Sequence, residues 1–254
     1  MQNARCFIGR FICFYQGSIT GRTVTGMGIT MNQNVIVAKD ISKSYQNGPD
    51  KISVIQNLSL EIAEKEIIAV VGPSGSGKST LLNILSGIDT VDSGSIFMEG
   101  EEITAMKKAQ LADLRLSRMG FVFQTFNLLH SLNVFENIIL PSVVKHKSYD
   151  REYVEELIQV LNIGHRTRFY PEQLSIGEQQ RVAIARALIN KPGIIFADEP
   201  TGSLDYENSK TVMELLRVCS KKFSNTLIYV THDMEVANMA DKILEINRGN
   251  YLWK

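Results

Sequence analysis

The sequence has few cysteines, no excess of charge of either sign and no long apolar run. Its cysteines, Cys6, Cys13 and Cys219, have neither the spacing of a metal site nor the number of a disulfide framework, so we expect a reducing compartment. Lys plus Arg and Asp plus Glu both number 27, and a formal charge of zero gives no global footprint for nucleic acid. No apolar stretch approaches the length that spans a bilayer, so a membrane role requires a partner.

Residues 1–30 differ in character from the rest of the chain. Their apolar run, at positions 6–15, is interrupted by Arg10, and no convincing cleavage site of a secretory signal follows it. A membrane-surface anchor is one alternative. We interpret the segment as upstream sequence read in frame, ahead of a native start at Met31. We therefore predict a disordered or non-native leader over residues 1–30 and a folded domain over residues 31–254.

A glycine-rich loop separates two apolar runs. The run at positions 67–71 predicts a buried strand, and residues 81–85 predict a helix. The loop matches the pattern GxxxxGK[ST], in which backbone N–H groups surround a phosphate, Lys78 reaches the terminal phosphates and Ser79 binds Mg²⁺. A plain glycine turn is the alternative, which the flanking elements and two extra glycines disfavour. The predicted nucleotide-binding residues of the loop are Gly72, Pro73, Ser74, Gly75, Ser76, Gly77, Lys78, Ser79 and Thr80.

Further apolar runs end in polar side chains. Residues 194–197 lead into Asp198 and Glu199, and residues 227–230 lead to His232. Ligands of α/β proteins bind at the carboxyl ends of parallel strands. We therefore predict that Asp198 meets Mg²⁺, that Glu199 orients and deprotonates the attacking water, and that His232 contacts the γ-phosphate or holds that water. Taken singly, an acidic loop or a packing histidine is the alternative.

Other segments complete the predicted order. Strands are expected at residues 35–38 and 52–62, with a turn at 47–50. Tyr45 lies between them, and its ring either stacks on a purine base or packs on the strand. Helices are predicted over residues 109–118, 132–140 (ended by Pro141), 149–161 (with Asp150 as N-cap) and 178–189. A buried strand, residues 119–123, ends at Gln124, and a last strand at 243–246 leaves no room for a C-terminal regulatory domain.

Over residues 31–254 the chain resembles the nucleotide-binding subunits of ATP-binding cassette (ABC) transporters. The matched elements occur in the order of the family: Tyr45, the Walker A loop at 72–80, the Q-loop Gln124, a signature segment at 174–181 (LSIGEQQR), the Walker B strand at 194–199, the D-loop at 203–205, and His232. The run at 121–129 is similar to one subgroup. That subgroup holds ATPases of macrolide export, lipoprotein release and antimicrobial-peptide resistance, and a cell-division ATPase that drives no transport.

The resemblance implies an α/β fold: a P-loop NTPase (RecA-like) core, an antiparallel β subdomain and an α-helical subdomain over about residues 125–180. It implies a head-to-tail dimer around two ATP molecules, in which Ser175 and Gly177 contact the γ-phosphate of the other subunit and Asp205 lies at the seam. It adds Gln124 to the metal ligands Ser79 and Asp198. The implied catalytic residues are Lys78, Gln124, Glu199 and His232.

Two residues depart from the family signature, Leu-Ser-Gly-Gly-Gln. Ile176 replaces a glycine and Glu178 replaces the glutamine. A β-branched residue takes a positive φ only at a cost and adds bulk near phosphate, while Glu178 adds negative charge, although a helix start favours it. Slower hydrolysis or a different partner subunit would follow. Since every Walker residue is present, we still predict an active ATPase.

The leading interpretation is the ATPase of an ABC exporter or extractor of a lipoprotein, peptide or drug, bound peripherally at the cytoplasmic face of the inner membrane. Its partners would be a transmembrane permease and a second cassette, identical or different. The permease would dock on the loop after Gln124, where Phe126, Leu128 and Leu129 form either an exposed surface or part of the core. A cell-division ATPase is the alternative. A ribosome or DNA ATPase fits less well, because the chain has one cassette, no coiled-coil or zinc insertion and no net positive charge.

Overall fold

The chain forms two sheets. We describe a computed structural model over residues 34–145, 148–247 and 249–254, so the predicted leader lies outside the described residues. The first sheet is antiparallel, in the order β2-β1-β4-β5. Its strands are β1 (Asn34–Asn47), β2 (Asp50–Ala63), β4 (Ser93–Met98) and β5 (Glu101–Glu102). Gly48, at φ 61°, makes the predicted turn between β1 and β2.

The second sheet carries six strands in the order β10-β9-β3-β8-β7-β6, and all neighbours are parallel except β10 and β9. Its strands are β3 (Ile67–Val71), β6 (Met119–Phe123), β7 (Ile194–Asp198), β8 (Thr226–Val230), β9 (Lys242–Asn247) and β10 (Asn250–Trp253). Every residue of β3 and β8 is buried, as expected of parallel strands covered on both faces. The sequence missed β10, which pairs with the predicted last strand.

Helices cover both faces of this sheet. They are α1 (Lys78–Leu85), α2 (Lys108–Arg118), α3 (Val134–Val144), α4 (Arg151–Val160), α5 (Ile176–Leu188), α6 (Tyr206–Lys222) and α7 (Met234–Ala237). Alternate residues of β3 enter two different cores. Ile67 and Ala69 pack in the core that contains α5, whereas Ile68 and Val70 pack in the core that contains α1. Helices α1 and α5 therefore lie on opposite faces of the sheet.

Pro141 does not end its helix, as the sequence had predicted. Helix α3 begins two residues later than expected, because the Asn133 side chain accepts a hydrogen bond from Glu136 N and Glu136 bonds back to Asn133 N. It then continues through Pro141 to Val144. Its buried face packs against α5, and this packing offsets the hydrogen bond that proline removes.

The start of α5 also differs from the prediction. The helix begins at Ile176 rather than Glu178, with Ser175 as its N-cap. Ile176 is therefore the first helical residue and is not among the residues with positive φ. The expected backbone strain at Ile176 is wrong, because the substitution for glycine falls where a helical φ is needed. Helix α4 is confirmed with Asp150 as its N-cap, although it spans only Arg151–Val160.

Candidate functional site

Four adjacent strands place polar groups at one edge of the large sheet. The glycine loop follows β3, His232 follows β8, Asp198 ends β7 and Gln124 follows β6. These strands are neighbours in the order β3-β8-β7-β6 and all run parallel. Their carboxyl ends therefore meet on one side, where α/β folds bind ligands.

The loop between β3 and α1 adopts a backbone that specific glycines permit. Gly75 and Gly77 have φ values of 74° and 101°, in the left-handed region that favours glycine. A Cβ at Gly77 would also lie 2.7 Å from the Cγ1 atom of Val54, and one at Gly72 would lie 2.1 Å from the carbonyl oxygen of Ile246. The loop is thus held close to β2 and β9 with no room for side chains at these positions.

The loop contains polar groups that suit an anion. The Lys78 ammonium is almost buried and donates to the carbonyl oxygens of Gly72 and Pro73, at 3.0 and 2.9 Å. These neutral acceptors leave its positive charge without a carboxylate among the described residues. The Ser76 hydroxyl is buried, and no other described group bonds to it. A buried cation and an orphaned hydroxyl at a helix start fit a phosphate group.

The first turn of α1 meets the end of β7 directly. The Ser79 hydroxyl donates to Asp198 Oδ1 at 2.9 Å. Burial raises the pKa of Asp198, and the Glu199 carboxylate adds to this rise, while Ser79 and Lys78 oppose it. A hydroxyl and a carboxylate oxygen on adjacent elements form a donor set suited to Mg²⁺, which prefers oxygen ligands. Ser79 and Asp198 therefore fit the predicted metal site.

Glu199 and His232 lie together beyond the strand ends. His232 Nδ1 is 3.5 Å from Glu199 Oε2, and the His232 side chain is largely exposed. Glu199 has a positive φ of 45°, and its backbone N–H donates to Val230 O at 3.2 Å. Positive φ values are uncommon for residues other than glycine. Where they occur, they are concentrated at functional sites, where the surrounding structure fixes the direction of a side chain.

The Gln124 side chain lies near the Glu199 carboxylate. A Cβ built on Gly202 would lie 2.7 Å from Gln124 Nε2 and 3.2 Å from Glu199 Oε2, so both side chains pack against Gly202. The Ser203 hydroxyl of the D-loop donates to Gln124 O. Of the three apolar residues predicted to form a docking surface, Leu128 is buried in the core, Phe126 is partly buried against it and Leu129 is exposed. Leu128 is therefore a core residue rather than part of an exposed docking surface.

The start of the signature segment is held by local hydrogen bonds, while Gln180 of the same segment donates to the carbonyl oxygen of Pro200, next to Glu199. The Ser175 side chain accepts from Glu178 N, and Glu178 Oε2 accepts from Ser175 N at 2.8 Å, which closes a capping box. The other carboxylate oxygen of Glu178, Oε1, accepts a hydrogen bond from Arg166 Nε at 2.7 Å. The ion pair with Arg166 neutralises the charge that Glu178 brings to the signature. In the described part of the chain, no hydrogen bond links Ser175 or Gly177 to the phosphate loop.

Tyr45 is 40% exposed on β1, and its hydroxyl donates to Asp89 Oδ2 at 2.7 Å. Neither Asp89 nor Arg166 is marked by the sequence, although Asp89 contacts the predicted site residue Tyr45 and Arg166 contacts Glu178 of the signature segment. Nothing in the local pattern marks them, because their partners are 44 and 12 residues away. They become visible only when the fold brings distant segments together.

Comparisons with known proteins agree with this architecture. A family model described as ABC transporter matches residues 55–202. The lipoprotein-releasing system ATP-binding protein LolD of Pseudomonas fluorescens is 39% identical over 218 residues, 85% of this chain and 96% of the relative. The macrolide export ATP-binding/permease protein MacB of Mannheimia succiniciproducens is 41% identical over 221 residues, which are 86% of this chain but 34% of MacB.

A solved structure gives the same fold. The ATP-binding cassette MJ0796, in a dimeric post-hydrolysis state bound to ADP and Pi, is 35% identical, with a TM-score of 0.78 over 86% of this chain and 97% of that one. Among the described residues, no helix combines the length and apolar character needed to cross a membrane. The predicted P-loop NTPase fold is thereby confirmed. The chain belongs to the ABC transporter family, as one of its ATP-binding and ATP-hydrolysing cassettes.

Proposed function

We propose that this cassette drives a separate membrane subunit that exports or extracts a lipoprotein, peptide or drug. The names of the relatives LolD and MacB, which denote lipoprotein release and macrolide export, support this class of cargo. LolD is named as the ATP-binding protein of its system, whereas MacB is named as an ATP-binding/permease protein. By analogy with LolD, the permease here would be a separate subunit. The cassette would bind it peripherally at the cytoplasmic face of the inner membrane.

The observation that carries the proposal is the contact of Ser79 with Asp198 beside the buried Lys78 ammonium. In this arrangement Lys78 and the loop N–H groups hold the ATP phosphates, and Ser79, Asp198 and Gln124 hold Mg²⁺. A bound metal ion would neutralise part of the negative charge of the phosphates. Glu199 orients the attacking water and accepts its proton, and His232 fixes the position of the γ-phosphate.

The signature would act on a second subunit. Helices α1 and α5 lie on opposite faces of the sheet, and no hydrogen bond in the described structure joins Ser175 to its own phosphate loop. We infer that the Ser175 end of α5 serves ATP bound to another subunit. A head-to-tail dimer would bring Ser175 and Gly177 to the γ-phosphate of the partner, with Asp205 at the seam. The capped N-terminus of α5 then offers N–H groups and a positive dipole end to that phosphate.

The Glu199→Gln variant tests this function. We expect it to bind Mg·ATP, to hydrolyse at least 100-fold more slowly, and to change from monomer to dimer in solution when Mg·ATP is added. Light scattering with and without nucleotide measures the mass, and phosphate release measures turnover. The matched control Glu214→Gln, an exposed carboxylate of α6, should hydrolyse like the wild type.

A persistent monomer that binds ATP would contradict self-dimerisation and would point to a different cassette partner. A wild-type chain that hydrolyses no ATP, alone or with membranes from its source, would contradict the proposed function itself. Copurification of a membrane protein that has no cassette of its own would support the separate permease.

A further inference from the structure

Three side chains near the end of β1 and the loop after α1 are joined in one network. The Tyr45 hydroxyl donates to Asp89 Oδ2 at 2.7 Å, and Lys43 Nζ donates to Asp89 Oδ1 at 2.9 Å. Lys43 also donates to the carbonyl oxygen of Thr90 at 2.6 Å. Both oxygens of one carboxylate are therefore occupied, and one of them anchors the hydroxyl end of the Tyr45 ring.

The two faces of the Tyr45 ring differ. Lys43 Nζ lies over one face, 5.0 Å from the ring centroid, within the range of a cation–π contact. Lys43 is only 7% exposed, whereas Tyr45 is 40% exposed. One face of the ring thus lies against a buried ammonium, and its exposure comes from the remaining surface.

The network is next to the phosphate loop. Asp89 and Thr90 follow α1, whose first turn contains Ser79 and Thr80. Burial and the hydrogen bond to Asp89 raise the pKa of Tyr45, whereas the hydrogen bond with the Thr80 hydroxyl lowers it. The Tyr45 hydroxyl is therefore close to the helix turn that carries the predicted metal ligand.

We propose that Asp89 and Lys43 are positioning residues for the nucleotide base. They hold the Tyr45 ring in place before ATP arrives, so that its free face is a ready stacking surface for a purine. A preorganised ring loses less side-chain freedom on binding, and the base gains more from the same contact. The inference rests on the proposed function, because it requires that the phosphate loop binds ATP.

The test separates binding of the base from binding of the phosphates. The full chain is titrated calorimetrically with Mg·ATP and with Mg·tripolyphosphate, which has no base. We expect Asp89→Ala and Tyr45→Phe each to weaken ATP binding roughly 3- to 10-fold, the effect of one lost hydrogen bond, and to change tripolyphosphate binding less than about twofold. The double variant should lose no more than either single one, since both remove the same anchor.

Asp92→Ala is the matched control. This neighbouring carboxylate accepts from the backbone N–H of Ser44 at 3.0 Å and has no hydrogen bond to Tyr45 in the described structure. It should leave ATP affinity within about twofold of the wild type. If Asp89→Ala lowers the thermal stability too far for titration, Tyr45→Phe carries the test, because it removes one hydroxyl only.

Two results from the variants would overturn the inference. One is unchanged ATP affinity in both single variants. The other is an equal loss for ATP and tripolyphosphate, which would mean that Asp89 supports the phosphate loop rather than the ring. A wild-type chain that binds tripolyphosphate and ATP equally well would also contradict a base platform. A wild-type chain that binds neither would instead overturn the proposed function on which the inference rests.

Discussion

The phosphate-binding edge and the signature start of α5 are built in different ways. At the edge, three parallel strands, β3, β7 and β8, lead to Lys78, Ser79, Asp198 and His232 within a single chain. The start of the signature has no such partner groups: Ser175 and Glu178 bond to each other, and Glu178 also accepts a hydrogen bond from Arg166. The first region groups the predicted ligands of ATP and Mg²⁺ within one chain, whereas the start of α5 holds no comparable group. Under the proposed function the two regions are halves of one site, which a second subunit completes.

The largest expected effect is at the edge. Lys78→Ala removes the ammonium that is held between Gly72 O and Pro73 O, so a phosphate would lose a charge-assisted contact. We expect ATP affinity to fall about 10- to 100-fold and turnover to become undetectable. Calorimetric titration and phosphate release measure the two. The exposed Lys221→Ala of α6 is the control, and an unchanged affinity in Lys78→Ala would contradict the comparison.

The second prediction concerns Asp198→Asn, which should raise stability but abolish activity. Burial raises the pKa of Asp198, so folding penalises its charged form. The stability of the folded chain then falls as pH rises from the ordinary aspartate pKa through the raised value, and the penalty remains at neutral pH. Asp198→Asn should raise the Tm at pH 7, keep an acceptor for Ser79, and abolish Mg-dependent hydrolysis.

Thermal unfolding followed by calorimetry at several pH values tests whether the charged form of Asp198 destabilises the fold. The gain in Tm should shrink as pH is lowered toward the ordinary aspartate value, because the wild-type carboxyl then becomes neutral. Asp113→Asn, on the exposed face of α2, should show no such trend. A variant that melts below the wild type at pH 7 would mean that the charged Asp198 stabilises the edge rather than strains it.

The two regions also differ in how far sequence predicts them. The phosphate loop was predictable because its glycines must stand where φ is positive, as at Gly75 and Gly77, and because a strand and a helix flank it. The course of α3 through Pro141 was not, since packing against α5 overrides a local helix-breaking preference. Nor was the neutralisation of Glu178, because Arg166 reaches it only through the tertiary fold.

The smallest effect on ATP binding is expected at the signature. Ser175→Ala removes the hydroxyl that caps α5 by accepting from Glu178 N, a loss of about 1 kcal/mol in stability. Because no hydrogen bond in the described structure joins Ser175 to the chain's own phosphate loop, ATP affinity of the monomer should stay within about twofold of the wild type. Turnover should fall at least 10-fold. A parallel loss of monomer affinity would remove the distinction between the two halves.

Ile176→Gly is the control within the same segment. Ile176 is 51% exposed and takes a helical φ as the first residue of α5, so glycine relieves no strain there. Glycine at a helix start also lowers stability slightly, by less than about 1 kcal/mol. We therefore expect turnover and ATP-induced dimerisation close to those of the wild type. A marked rise in turnover would mean that the isoleucine side chain itself obstructs the phosphate of the partner subunit, and bulk rather than backbone geometry would then limit this signature.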